Sequence, residues 1–270
     1  MEVKQLEGYK KLPAELKKQR RLTIIIFVII LLAFILSTVQ TSFNPFIIFI
    51  RGENFIDFFV NHLSPPNFKA TKGLWEAIII SLGMAVIPTF IGGIIAFCLC
   101  FFSSYSTTPH KSFVLILRGF ASFWRNLPSA IWMMILVMVF GIGTTIGIMA
   151  LTINTVGFLL RAFTDVVDEV GRESMEALDS VGAGFFPKLF QCVIPAAMPG
   201  FISWLLYAVE INIMSSGVIG ALGGGGIGLV LTGYFKLFRY RAAFAIIITL
   251  GATIIIVNFI TNYLRKKVIS

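Results

Sequence analysis

Apolar residues run along the chain in long blocks that no charge interrupts: 22–39, 77–102, 126–160, 189–209, 211–235 and 242–264. A helix needs roughly 20 apolar residues to cross the hydrocarbon core of a bilayer. In lipid the backbone must satisfy its own hydrogen bonds, and a helix does so within one segment. The alternation over about 10 residues that marks a membrane barrel does not occur. The pattern therefore predicts an all-α polytopic membrane protein with six spans. The first covers 22–40. The second covers 74–102, with Pro88 and Gly92-Gly93 loosening its middle. The third is bent, over 113–140, with Arg118 and Arg125 in its first half and a break near Pro128. Gly141-Ile142-Gly143 turns the chain into a fourth span at 144–161. The fifth covers 189–217 and the sixth 242–264, with a glycine-rich break at 218–228 between them.

Charge orients these spans. Residues 1–21 hold seven basic side chains against three acidic ones, and Arg265, Lys266 and Lys267 close the other end. Basic flanks stay on the cytoplasmic side, so both termini are expected inside, as six spans require. The 18 uncharged residues of the first span exceed the ~7–15 of a signal peptide, and no A-x-A site follows, so the span is read as retained. Residues 41–73 are expected as an outer loop, with breakers at Asn44-Pro45 and Pro65-Pro66 and a short interfacial helix at 46–60. A core domain then covers 74–267. Lys236, Arg239 and Arg241 fall on the outer side, against the basic-inside trend.

The chain is 57% hydrophobic and 13% charged. Soluble domains carry about 25% charged residues, and the deficit agrees with a surface solvated by lipid. The net charge of +9 is read as topogenic, not as a nucleic-acid footprint. Cys98, Cys100 and Cys192 show no CxxC spacing, and His62 and His110 have no ligand-like neighbours, so no metal or disulfide framework is expected.

The long polar stretch at 161–188 carries six acids and three bases. It contains Glu176-Ala177-Leu178-Asp179-Ser180-Val181-Gly182, then nine residues, then Cys192-Val193-Ile194-Pro195. This resembles the signature loop of bacterial ABC importer permeases, E-A-A, three residues, G, nine residues, I-x-L-P. Glu176, Ala177, Gly182 and Pro195 fit. Leu178, Cys192 and Ile194 depart from it, but the spacing is intact. The resemblance extends over roughly 70–267. Arg125-Asn126-Leu127-Pro128, Asn154 to Phe158, Val209 to Ile213, Gly224 to Gly228 and Leu237 to Tyr240 look like the phosphonate-importer permeases. Methionine-importer permeases share the loop and the glycine stretch, and fit the Glu210–Asn212 and Phe238–Tyr240 patches less well. Phosphonate permeases often have arginine where this chain has Met214. The resemblance implies a type I ABC importer permease fold with a cytoplasmic coupling helix, in a bacterial cytoplasmic membrane. It implies a second permease subunit, identical or similar, two ATPase subunits that bind ATP and Mg, and an extracytoplasmic substrate-binding protein. Arg172, Glu176, Ala177, Gly182, Phe185 and Phe186 are the expected coupling contacts to the ATPase.

Other candidates lie within the spans. Glu210 alone interrupts 46 otherwise uncharged residues. An ionisable group at that depth needs a partner or a wet cavity, and Asn212 and Asn154 are the expected hydrogen-bond partners. Its expected role is structural or gating, or that of a satisfied interior carboxyl with no part in transport. Arg125 and Asn126 precede Pro128, where freed amides and a guanidinium could meet an anion. Snorkelling to headgroups is the alternative for Arg125, and more so for Arg118 and Arg161. Gly223, Gly225 and Gly228 spell GxGxxG, but no βαβ unit surrounds them, so a dinucleotide site is rejected. Gly224, Gly225 and Gly226 are read as a re-entrant gate, against a plain flexible connection. Lys236, Arg239 and Arg241 could draw in anions, meet acidic patches of a binding protein or anchor to headgroups.

No GxxxxGK[ST] loop occurs and no nucleophile–base constellation is visible, so the chain itself is expected to be non-catalytic and without a cofactor. An ion-driven transporter would call for coupling carboxylates in several spans, and only Glu210 qualifies. An intramembrane enzyme would call for paired catalytic residues.

Overall fold

The computed structural model describes residues 2–44, 46–47, 51–108, 110–179 and 184–269, with side chains described outside 2–15, 17, 70, 172–179, 185 and 269. The chain separates into two units, residues 1–60 and 61–270.

The first unit is dominated by α1 (Glu2–Gln40). Its stretch Lys18–Gln40 is long and apolar enough to cross a membrane, and its large apolar side chains from Leu22 to Val39 are exposed. The helix α2 (Gly52–Phe58) follows.

The second unit is a bundle built from α3 (Leu74–Ser103), α4 (Lys111–Asn126), α5 (Ser129–Phe140), α6 (Thr144–Asp179), α7 (Phe185–Lys188), α8 (Ile194–Ile219), α9 (Gly226–Lys236) and α10 (Tyr240–Ile269). Single π turns, Leu189–Val193 and Gly220–Gly224, precede and follow α8. No strand occurs among the described residues. Among the described residues of the chain, five stretches are long and apolar enough to cross a membrane, and α4 with α5 makes a sixth if that bent pair counts as one span.

The bundle is organised around α6. Ala150, Leu151, Val156, Leu159, Leu160, Phe163 and Val167 are all buried, a three-to-four-residue spacing that covers more than one face. The helix touches α3, α4, α5 and α8. Leu159, Leu160, Phe163 and Val167 join Ala96, Ala121, Ala197 and Phe201 in one core. Ala150 and Leu151 join Met84, Met133 and Ile219 in another.

Two expectations need correction. The fourth span does not stop at 161: α6 is continuous through Asp179. Residues 161–170 hold no Pro or Gly, and Arg161 pairs with Asp165 four residues on, so the helix continues into the polar stretch. The bend expected near Pro128 is present, and α4 and α5 meet there at 86°. At 12 residues, α5 reaches only about 18 Å, short of the roughly 30 Å hydrocarbon core. Finally, Gly92 and Gly93 do not loosen α3, which is one helix of 30 residues. They lie where α3 meets its neighbours: a Cβ on Gly92 would come within 3.0 Å of Thr155, and one on Gly93 within 2.6 Å of Leu205. The helix α9 within the glycine-rich region has no counterpart in the sequence reading.

Candidate functional site

Among the described residues, polar side chains tie the helices of the bundle together in four groupings. Asn212 of α8 is buried among Thr89 of α3 and Thr155 of α6. Its carboxamide donates to Thr89 Oγ1 at 3.0 Å and accepts from Thr155 Oγ1 at 3.1 Å. Thr89 in turn donates to the Ala85 carbonyl at 2.8 Å. A buried amide with both functions used carries no desolvation penalty, and it fixes three helices at one level.

Glu210 faces elsewhere. Two residues along a helix turn the side chain by about 200°, so Glu210 points from α8 to α10 while Asn212 points to α3 and α6. Its Oε1 accepts from Thr261 Oγ1 at 2.5 Å and from Arg265 at 2.7 Å. The expected partners Asn212 and Asn154 are thus replaced by Thr261 and Arg265. The carboxylate side chain is 10% exposed and the guanidinium side chain 27%, so the pair sits at the edge of the packed interior. Tyr207 lies with its ring centroid 5.9 Å from the Arg265 guanidinium carbon. Arg265 was read from the sequence as topogenic charge alone. The signal that could have found the pair is spacing: Thr261 and Arg265 are four apart, on one face of α10.

Asn154 serves the break between α4 and α5. Its Nδ2 donates to the Leu127 carbonyl at 2.9 Å and to the Trp124 carbonyl at 3.5 Å. A helix end leaves carbonyls without intrahelical partners, and Pro128 prevents the helix from continuing. A side chain from α6 therefore caps the end of α4. Arg125 and Asn126 at this end are exposed, and neither makes a side-chain polar contact with another described residue.

At the end of the bundle towards which α6 runs, Asp168 of α6 gathers the connection after α3. It pairs with Arg118 of α4 and accepts from Ser104 Oγ at 2.5 Å and the Tyr105 N–H at 2.9 Å. Arg118 also donates from Nε to the Ser103 carbonyl at 3.1 Å, and its guanidinium carbon lies 4.4 Å from the Tyr105 ring centroid. Arg118 is thus an internal tie and not a snorkelling residue. Arg161 pairs with Asp165.

The opposite end is held by glycines. After α8 the π turn 220–224 runs into Gly225, which has φ 88° and lies where a Cβ would be 2.6 Å from Thr144 Oγ1. The Gly143 N–H donates to the Gly223 carbonyl at 3.1 Å, and the Ile227 N–H donates to Ser81 Oγ at 2.9 Å. Gly224 packs on Gly147, and a Cβ on Gly228 would overlap the Gly217 carbonyl. Gly223, Gly224 and Gly226 are buried. This is a close-packed knot of α3, α6, α8 and α9, not a flexible connection.

Of the residues expected to make coupling contacts, Arg172, Glu176 and Ala177 fall on the last turns of α6, with side chains outside the described set. Gly182 lies outside the described residues. Phe185 begins α7, its side chain also outside. Phe186 is exposed and lines an apolar cavity with Phe101, Phe102 and Leu189.

Among the described residues, the chain is thus a bundle of helices of which five, or six with the bent pair, are long and apolar enough to cross a membrane. Residues 89–270 match the family described as binding-protein-dependent transport system inner membrane component, and the chain belongs to that family. It is 29% identical, over 73% of its length, to the phosphate-import permease protein PhnE of Mycolicibacterium smegmatis, spanning 37% of that protein. It is 28% identical, over 75% of its length, to the phosphite transport system permease protein PtxC of Stutzerimonas stutzeri, spanning 74% of that protein. Among solved structures, a chain of the inward-facing MetNI methionine ABC transporter superposes with a TM-score of 0.65 at 19% identity, covering 75% of this chain and 99% of that one.

Proposed function

We propose that the chain is the membrane-spanning subunit of an ATP-driven importer for a phosphorus oxyanion: phosphonate, phosphite or phosphate. The observation that carries the mechanism is α6. It is one helix of 36 residues, about 54 Å long. It begins at the glycine knot and ends in the turns that bear Arg172, Glu176 and Ala177. A push on its far end reaches the knot without a hinge between them, which suits rigid-body alternating access. The relatives named for phosphate and phosphite import support the substrate class. The likeness to the methionine transporter supports the architecture alone.

In this reading the end towards which α6 runs is cytoplasmic and both termini are inside. Two ATPase subunits, which hold ATP and Mg, dock on residues 172–187. A second permease copy, identical or similar, completes the path, and a binding protein delivers the substrate from outside. Arg125, exposed and unpaired beside the α4–α5 break, is available to a passing anion. Met214 is exposed on α8 and offers no charge where phosphonate permeases often place one. The chain itself hydrolyses nothing.

The test is ATPase activity of the assembled complex in nanodiscs, with the binding protein and methylphosphonate, phosphite, phosphate or methionine. Stimulation by a phosphorus oxyanion, lost in Glu176→Arg, is expected. Stimulation by methionine alone would overturn the substrate class. A Glu176→Arg complex that still co-purifies its ATPase and responds as wild type would overturn the coupling role.

A further inference from the structure

The helix α10 is basic at both ends. Arg239 and Arg241 flank its first residue, and Arg265, Lys266 and Lys267 lie in its last turns. It is 30 residues long and crosses the membrane, so one of these clusters lies on the translocated side in either orientation. Topogenic charge explains only the retained cluster. The Arg265 end also has an internal task, since Arg265 pairs with Glu210. Among the described residues the Arg239 and Arg241 guanidiniums form no ion pair.

The structure brings a second segment to this end. The Asn67 N–H donates to the Arg241 carbonyl at 3.0 Å, Arg241 donates to the Asn61 carbonyl at 3.3 Å, and the Lys72 N–H donates to Tyr234 Oη at 3.1 Å. Residues 61–72 and 234–241 thereby form one face. Between them is a cavity of about 420 Å³ whose wall includes Asn61, His62, Asn67, Arg239, Tyr240 and Arg241, with no carboxylate among its described lining residues. Across 61–76 and 219–243 the chain carries Lys69, Lys72, Lys236, Arg239 and Arg241 against Glu76 alone.

We propose that this cavity is a phosphorus-oxyanion site at the mouth of the bundle. Guanidinium groups present forked donors that match phosphate and phosphonate oxygens. The asparagines and the histidine add short polar side chains, and the open wall admits a small anion. Exposed charges act only within about 8 Å at physiological salt, so the site works by contact and not by long-range attraction. The helix α9 joins it directly to the glycine knot, so an anion held here waits beside the closed end of the bundle. The identification of that anion as transport substrate rests on the reading above, whereas the site's charge and shape do not. Dissolved oxyanions and lipid headgroups share this chemistry, and two arms separate them.

In the first arm, the assembled permease–ATPase complex in phosphate-free maltoside micelles is titrated with methylphosphonate and inorganic phosphate, read by ³¹P line broadening. In the second, the same complex is offered phosphatidylglycerol, and bound lipid is counted by native mass spectrometry. Arg239→Gln/Arg241→Gln is expected to weaken the occupant's binding at least tenfold, while Lys266→Gln, at the other end of α10, leaves it unchanged. Loss in the first arm identifies a dissolved anion, and loss in the second alone identifies a headgroup. No change in either arm overturns the site. So does a variant that loses only its affinity for the binding protein, which would make the face a protein dock. Arg239→Lys/Arg241→Lys keeps charge without the fork and is expected to be intermediate. It carries the test if the glutamine protein does not assemble, because unchanged binding there overturns a guanidinium-built site. Arginine-dependent anion binding in a complex stimulated only by methionine would sink the substrate class and leave the site standing.

Discussion

The two ends of the bundle are closed by opposite means. The end at Gly143 and Gly220–Gly228 is closed by missing side chains, so that backbone lies directly on backbone. The end at Ser104, Arg118 and Asp168 is closed by charge and hydrogen bonds between side chains. A steric closure of the first kind has almost no intermediate states, because packed backbone is not continuously deformable. A closure of the second kind loosens in steps as individual bonds exchange with water. In the transport cycle proposed here, the glycine end is suited to a gate that is shut or open, and the charged end to a joint that keeps α3, α4 and α6 together while it moves.

That contrast can be broken most sharply at Gly228. Its Cβ would meet the Gly217 carbonyl and lie 2.7 Å from the Ala221 nitrogen, both backbone atoms with nowhere to go. Gly228→Ala is expected to exceed the usual overpacking penalty of about 1–3 kcal/mol. The yield of monodisperse protein and its Tm should both fall sharply, and normal values would show that the knot is looser than described.

Glu210→Gln comes next. Removing one partner of a buried pair costs about 3–5 kcal/mol. With Arg265 partly exposed the expectation here is smaller, about 1–2 kcal/mol once solvent screening is allowed for. Glu210→Gln/Arg265→Gln should recover part of the lost Tm, because it removes the stranded charge as well. Additive losses in the double variant would mean that the two residues are not coupled.

Asp168→Asn probes the charged end. About 1 kcal/mol is expected from the weakened bonds to Ser104, Tyr105 and Arg118, with a larger effect on transport per ATP hydrolysed than on Tm. Unaltered coupling would leave Asp168 as a stability residue only. The smallest effect is expected at Gly119 of α4, where a Cβ would meet nothing within 4 Å. Gly119→Ala should be neutral or stabilising by up to about 1 kcal/mol, read by the same melting measurement. A collapse there would mean that α4 packs against something outside this chain.

Much of the fold was legible because lipid imposes length and apolarity on every span, and charge-free runs are easy to see. The spans at 74–103, 186–224 and 240–268 follow from those runs within a few residues. The reach of α6 was hidden because a helix leaving the membrane changes from apolar to polar without changing conformation. The 86° break was half visible: Pro128 showed that the helix must stop, but the angle depends on Asn154 capping it from another helix. The candidate site divides in the same way. Glu210 stood out as a charge in an apolar run, whereas Arg265 looked like ordinary flanking charge until α10 was laid against α8.

From sequence alone come the class, the long apolar stretches, the signature segment from Glu176 to Pro195 and the oddity of Lys236, Arg239 and Arg241. All of these are properties of consecutive residues, governed by the bilayer and by local backbone preference. Tertiary structure alone decided which polar groups meet. It joined Glu210 to Arg265, Asn212 to Thr89 and Thr155, Asp168 to Arg118, and residues 61–72 to 234–241. Each of these contacts spans more than 45 positions in the chain, and such partners are chosen by how helices rotate and pack against one another, which no local pattern encodes.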